Sequence, residues 1–367
     1  MATEISDWND LDNVRNDLTG DYVLVNDLNS DTDGYAGIGD DFEPIGFVSG
    51  TRDGDPFSGV LDGDGFQISD LVIEENDSSE AGVAFITQVG NGGLVENLSV
   101  DGTVNSTVDD FFYGGLAASV GADGTGTIEN CVSHVDVTSD GNQVGGLVGR
   151  NLDTVTESNA TGEVEGDEQV GGLAGRCSSG TSLDKTYSLS DVTGGDFVGG
   201  LYGAGFTTDV SESYAVGNVT GDTNVGGFAG ASGDGDRERN YFDTEATTQS
   251  DAFGTSDGGG GVTSLTTAEM QGSEAETNMD GFDFANTWDS VVESDNDTTA
   301  DGYPILLVLD REQQLDAQGI LSLTAFTISA LVNSESVEIQ DIFAQVDGEV
   351  REVTEASALI DGSVEQI

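Results

Sequence analysis

Four glycine loops, one acidic loop, a pair of arginines and a set of repeated tyrosines are the parts of this sequence that could do chemistry. V-G-G-[LF]-x-G begins at Val144, Val170, Val198 and Val225. One such loop could cradle a phosphate. A phosphate loop needs a lysine and Ser/Thr after its glycines, and a dinucleotide loop needs a βαβ unit around it. Neither context is present. "NSDTDGYAGIGD" spaces Asn29, Asp31, Asp33 and Asp40 as calcium ligands, with Gly34 at the sharp turn. The alternative is a solvated acidic loop, because Asn replaces the usual first Asp and no helix pair surrounds it. Tyr187 and Tyr214 occupy equivalent places, and Tyr241 follows in "RERNYFD". They would line one face and stack on sugar rings, or form a buried aromatic ladder.

Arg150 and Arg176 follow "GLVG" and "GLAG" at matching positions, so they should stack on one face. The expectation is that they pair with nearby Asp or Glu; beside a bound cation they would suit lyase chemistry. Glycoside hydrolysis needs two carboxyls about 5–9.5 Å apart, and no pair stands out. His134 lies between apolar positions and reads as packing, with no nucleophile arranged around it. No residue is assigned a catalytic or cofactor-binding role. Six N-x-[ST] sequons, at Asn76, Asn97, Asn105, Asn159, Asn218 and Asn296, would accept glycans outside a cell.

What would position these residues is a repeat. The strong motifs fall at steps of 26, 28 and 27 residues, and weaker copies begin at Tyr113 and Ala81, at steps of 31 and 32. Before each strong motif stands an alternating apolar and polar run, as in "VTESNATGEVEGD" and "VSESYAVGNVTGD". Such runs are short strands closed by turns. A period of this length means stacked units, and two or three strands per unit with glycine corners suit a parallel β-helix. Each glycine serves either a positive φ or a close backbone approach. Ile5, Trp8, Leu11 and Val14 fall at steps of three, which predicts a helix capping the first coil within residues 1–20. After Gly230 the pattern dissolves. Thr266 and Glu269 read as a capping box, residues 303–309 as a strand, and "DREQQLDAQG" from Asp310 as a short helix or linker. The domain reading is 1–20 cap, 21–310 β-helix, 311–367 β-rich C-terminal module.

The charge sets the medium. Seventy Asp plus Glu oppose nine Lys plus Arg, for a formal charge of -61 over 367 residues. A compact fold so charged repels itself in dilute buffer, and at 1 M salt the screening length falls to about 3 Å. The composition therefore predicts life in molar salt. It argues against nucleic acid as a partner, since no basic stripe exists, and no apolar run reaches the roughly 18 residues of a membrane span. The start "MATEISDWNDLDN" lacks the features of a secretory signal. Cys131 and Cys177 are too few for a disulfide framework.

"GLVG", "GLAG", "GLYG" and "GFAG", with the flanks "YVLVNDLN", "FEPIG", "PFSGVLDGDGFQISDLVI", "YFDTEATTQS" and "TSLTTAEMQG", resemble the proteins that carry the GLUG repeat. The resemblance covers roughly residues 20–310. It implies a β-helix, right-handed by analogy, of the kind found on cell-surface and adhesin-like proteins, and it supplies no catalytic residues. The resulting expectation is an all-β, non-enzymatic surface protein of a haloarchaeon or its virus, most simply a fibre, turret or spike. It would bind a host glycan or S-layer glycoprotein, join other virion proteins, and assemble as a homo-oligomer, first of all a trimer. Structural Ca²⁺ is the one cofactor considered. The alternatives are a glycan-cleaving tailspike using Asp/Glu pairs and a host adhesin.

Overall fold

The computed structural model describes residues 1–46, 55–74, 82–107, 112–122, 124–255, 260–290 and 302–308, and the backbone of four short strands beyond 342. The chain falls into two compact units, Met1–Ser322 and Leu323–Ile367. The first is a parallel β-helix. The second contains two antiparallel hairpins, Phe343–Val346 with Glu349–Glu352 and Ser357–Ile360 with Ser363–Gln366. The segment from Asp310 to Gly319 lies outside the described residues.

One coil shows the plan. Gly126–Glu129 joins a nine-stranded sheet, Val132–Ser139 and Gln143–Gly145 join a fifteen-stranded sheet, and Val148–Asn151 joins a six-stranded sheet. Thr154–Thr156 then returns to the first sheet, beside Gly126–Glu129. The repeats stack in register: Val144 pairs with Val170, Val170 with Val198, and Val198 with Val225. Leu147, Leu173, Leu201 and Phe228 are fully buried at the same place in successive coils. Their amides and carbonyls bond across the stack, as in Leu147 N to Leu173 O at 3.0 Å and Leu173 N to Leu201 O at 2.9 Å.

The glycines of the motif serve close approach. None of Gly145, Gly149, Gly171, Gly175, Gly199 and Gly203 has a positive φ. A Cβ on Gly145 would stand 2.3 Å from the Val148 carbonyl oxygen, and one on Gly175 2.4 Å from the Val144 nitrogen. The motif strand and the strand after it are thus pressed together backbone to backbone, at a pinch that admits only hydrogen.

Three expectations need correction. The weak copy near Ala81 is one residue shorter than the others: Val83, not Ala81, pairs with Tyr113, while Ile86 pairs with Ala117. The predicted N-terminal helix is shorter than residues 1–20. Ile5 ends a strand, Thr3–Ile5, that pairs with Asp21–Leu24. The helix runs Trp8–Asn13 because the Asp7 carboxylate caps it, accepting from Asn9 N at 2.8 Å and Asp10 N at 2.9 Å. Ile5, Trp8, Leu11 and Val14 do share one buried face. Past Gly230, where the glycine pattern dissolves, the coil continues through Arg237–Glu238, Asn240–Asp243 and Val262–Leu265. The capping box at Thr266 is present and opens the helix Thr267–Met270. The predicted 303–309 strand is confined to Ile305–Leu306, antiparallel to Trp288–Asp289, because Pro304 has no N–H to give. Leu309 lies outside the described residues. Among those residues no helix is long and apolar enough to cross a membrane.

Candidate functional site

The outer side of the coil is where a ligand would be met, so each candidate residue is placed by the row it occupies there. Val132, Asn159, Tyr187, Tyr214 and Tyr241 are register neighbours. Their chain successors Ala160, Ala215 and Phe242 belong to the core inside the coil. The tyrosines therefore point outward, yet they are only 1%, 0% and 5% exposed. Residues 266–290 and 302–308 fold back over them, bringing Met270, Phe282, Trp288 and Leu306 into one apolar cluster with the row. The Tyr187 and Tyr214 rings stack at 4.9 Å and 4°, with Trp288 at 6.0 and 5.9 Å. The Tyr214 hydroxyl donates to Pro304 O, and that of Tyr241 to Asp280 O at 2.8 Å. Burial first, then the charge of Asp280, pushes Tyr241 up to about 12. None of these three ring faces is open to a sugar. Proposing Tyr187, Tyr214 and Tyr241 as a glycan face is corrected on that ground: they anchor the covering segment.

The acidic loop is also self-contained. Asn29 Oδ1 accepts from Asp31 N at 2.9 Å, Asp33 O accepts from Trp8 N at 3.1 Å, and Asp40 Oδ1 accepts from Gly37 N. Asn29 O takes the Trp8 indole N–H at 2.9 Å. Among the described residues no three His, Cys, Asp or Glu side chains are grouped to hold a metal. Asn29, Asp31, Asp33 and Asp40 thus hold a turn against the helix and do not converge as a Ca²⁺ site.

Carboxylate clusters that no motif announced do form across coils. Asp101 is held above the usual carboxylate range by burial, then by the charges of Asp70 and Asp136. Asp62, Glu96 and Glu129 are register neighbours, and burial, Asp62 and Glu129 raise Glu96 in the same way. His134, opposite Asp101 in register, bonds Thr161 Oγ1 at 2.7 Å through Nδ1. Cys131 and Cys177 are free, buried thiols. Of the sequons, Asn159 is 1% exposed and closed to modification, Asn105 and Asn218 are exposed, and Asn76 and Asn296 lie outside the described residues.

A corner row went unseen in the sequence. Asn97, Asn130, Glu157, Lys185, Glu212 and Arg239 each take a left-handed backbone, with φ between 46° and 56°, where the chain leaves the nine-stranded sheet. Asparagine suits that conformation best, and Asn130 Nδ2 donates to Asn97 Oδ1 at 3.2 Å. In the later coils charge replaces amide. Lys185 Nζ lies 3.5 Å from Glu157 Oε1, and an Arg239 guanidinium nitrogen 3.0 Å from Glu212 Oε1. Burial lowers the Lys185 pKa, but Asp184, Glu157 and Glu212 outweigh it and hold the ammonium above its usual value. The signal was available: every member but Arg239, which follows Arg237, stands two residues after an inward apolar position such as Val155, Leu183 or Val210.

Arg150 and Arg176 are register neighbours on the six-stranded sheet, in the row Gln88, Ser119, Arg150, Arg176, Ala204 and Ala231. Arg150 lies over the Phe112 ring at 5.1 Å and Arg176 over Phe206 at 4.8 Å. The expected pairing with Asp or Glu is absent for both among the described residues, because their side chains run onto rings instead.

Residues 140–165 match the model of the GLUG motif family. That span is one complete coil, from Asp140 through the pinch to Glu165. This coil carries a GLUG motif. Over 158 residues the chain is 32% identical to halomucin of Haloquadratum walsbyi, a match covering 43% of this chain and 1% of halomucin. Halomucin is thus a far longer protein, and this chain spans a small fraction of its length. A solved structure of a proposed immunoglobulin A1 protease from Bacteroides ovatus is similar at TM-score 0.45 and 15% identity, covering 83% of this chain and 92% of that one. A likeness that distant carries no argument about function.

Proposed function

We propose that this chain is a non-enzymatic structural and adhesive solenoid, displayed outside a halophilic cell or particle and holding surface glycan. The observation that carries the reading is the stacked GLUG coil together with the halomucin match, in a chain whose charge of -61 suits molar salt. A coil held by backbone bonds and a glycine pinch keeps its outward positions free to vary, which suits display. The C-terminal unit would join copies, with a trimer expected, and light scattering in molar KCl checks that. The reading covers both a cell envelope and a virion fibre or spike.

The experiment is to fold the full chain in 3 M KCl and incubate it with haloarchaeal envelope material, then measure retention and new reducing ends. Retention without new reducing ends supports adhesion. New reducing ends would overturn it in favour of a depolymerase. Mass spectrometry of purified envelopes and of purified virions assigns the particle.

A further inference from the structure

Six cationic side chains are described, and four of them have acceptors. Arg15 lies against Asp12 and Glu43, Lys185 against Glu157 and Asp184, and Arg239 against Glu212 and Glu238. Arg237 donates to Ser232 Oγ at 2.8 Å and Gly233 O at 3.0 Å. Among the described residues Arg150 and Arg176 have no ion pair and no hydrogen bond from the guanidinium, and both Nε atoms are buried without a partner. The sequence is rich in carboxylates, yet among the described residues none is placed on either.

Stability does not account for this arrangement. Like charges in register on neighbouring strands repel. Burial, then the charge of Arg176, draws the Arg150 guanidinium below its usual pKa. Each guanidinium is nevertheless fixed in plane by a ring, Phe112 or Phe206. The row leading to them is also made of donors left over: Ser119 Oγ and Gln88 Nε2 are unpartnered, and each residue is 5% exposed. On the other side the row shrinks to Ala204 and Ala231, beside Phe206, whose side chain is 51% exposed. Two oriented forks with no acceptor beside an open ring describe half of a contact.

The missing half follows from the medium. At molar salt the field of a charge reaches only about 3 Å, so a ligand must be gripped by direct contact. Guanidinium forks grip planar or tetrahedral oxyanions through paired N–H groups. A spherical chloride cannot span two forks in that way. A carbon ring carrying the oxyanion would lie on Phe206.

We propose that Arg150 and Arg176, framed by Phe112 and Phe206, bind the oxyanion of an acidic saccharide, a carboxylate or a sulfate ester held across two coils. The proposal rests on the adhesion reading only for which polymer carries the oxyanion.

The test uses the full chain in 3 M KCl with circular dichroism as the fold control. Probes are a sulfated dextran, a polyuronate and neutral dextran, with inorganic sulfate as the bare anion. Wild type should retain at least one acidic polymer over the neutral one. R150A and R176A should each weaken that by about ten- to a hundredfold, the scale of hydrogen bonds to charged groups. The pair R150K/R176K, which keeps charge and loses the forks, should also weaken it. F206A should weaken polymer binding more than inorganic sulfate binding, because it removes the ring contact and loosens one fork. The two acidic polymers distinguish sulfate from carboxylate. Equal retention of acidic polymer by wild type and R150A/R176A, or no preference of wild type for acid over neutral polymer, overturns the site. Envelope retention kept in R150A/R176A overturns the site and leaves adhesion standing. Envelope retention lost in wild type, with acidic-polymer binding still dependent on both arginines, overturns adhesion and leaves the site standing.

Discussion

Replacing Gly171 with alanine tests whether the motif is a steric device. A Cβ there would stand 2.2 Å from Ala174 O, 2.5 Å from Tyr202 Cα and 2.6 Å from Gly203 N. All three are backbone atoms, so no rotamer relieves the contact. Ordinary contact begins at 3.4 Å, so neighbouring coils must part by about 1 Å. That separation strains Leu173 N to Leu201 O, now 2.9 Å, and Gly172 N to Gly199 O, now 3.3 Å. Overpacking costs about 1–3 kcal/mol, and each weakened hydrogen bond adds about 1 kcal/mol. We expect G171A to lose about 3–5 kcal/mol on that sum. The assay is urea unfolding in 3 M KCl by far-ultraviolet circular dichroism, with G260A as reference, since a Cβ on Gly260 meets nothing within 4 Å. Coils contact mainly their neighbours, so a break in mid-array should also broaden or split the transition. A G171A midpoint matching that of G260A would refute the pinch.

The two thiols are pushed up to about 12 by burial, with Cys131 further tuned by its backbone neighbours. Both states keep these protons below about pH 8.5, where unfolded thiols titrate. Above it the unfolded chain releases protons that the fold retains, so stability falls by about 1.4 kcal/mol per pH unit per thiol. Melts at pH 8.5 and 10 should differ by about 3 kcal/mol more in wild type than in C131A/C177A, since unfolded thiols are already half titrated at pH 8.5, and iodoacetamide should label neither cysteine before unfolding. W288A should remove the ring beside Tyr187 and Tyr214 at a cost of about 3–5 kcal/mol, read as a lower melting point with new binding of an apolar dye; unchanged dye binding would mean the cover does not depend on it. K185E should align carboxylates in three successive coils and cost about 1–2 kcal/mol in dilute salt, shrinking in 3 M KCl; equal loss in both would rule out charge as the cause.

The β-helix was legible because Val144, Leu147 and Gly149 recur at nearly constant steps, and each recurrence is a demand for register. The copy at Val83 was misaligned because a single missing residue leaves composition unchanged while shifting every partner. Ile5 joined the helix on paper because a step of three fits both a helix and a strand followed by a turn. The tyrosines were ambiguous for a deeper reason. Their exposure depends on Phe282 and Trp288, which arrive from another stretch of chain and follow no period. Arg150 and Arg176 were placed side by side by the repeat, but an acidic composition suggested partners that geometry withholds. The left-handed corner was hidden because Asn130, Glu157 and Lys185 share a backbone and not a side chain.

That corner has a consequence for how the array can change length. The glycine pinch and the leucine column treat all coils alike, so by those rules a coil could be gained or lost one at a time. The corner row does not: Glu157, Lys185, Glu212 and Arg239 alternate in sign. Excising the coil that carries Lys185 would set Glu157 against Glu212, whereas excising the coils of Lys185 and Glu212 together would set Glu157 against Arg239. In this part of the molecule the unit of inheritance is two coils, and the solenoid has a parity.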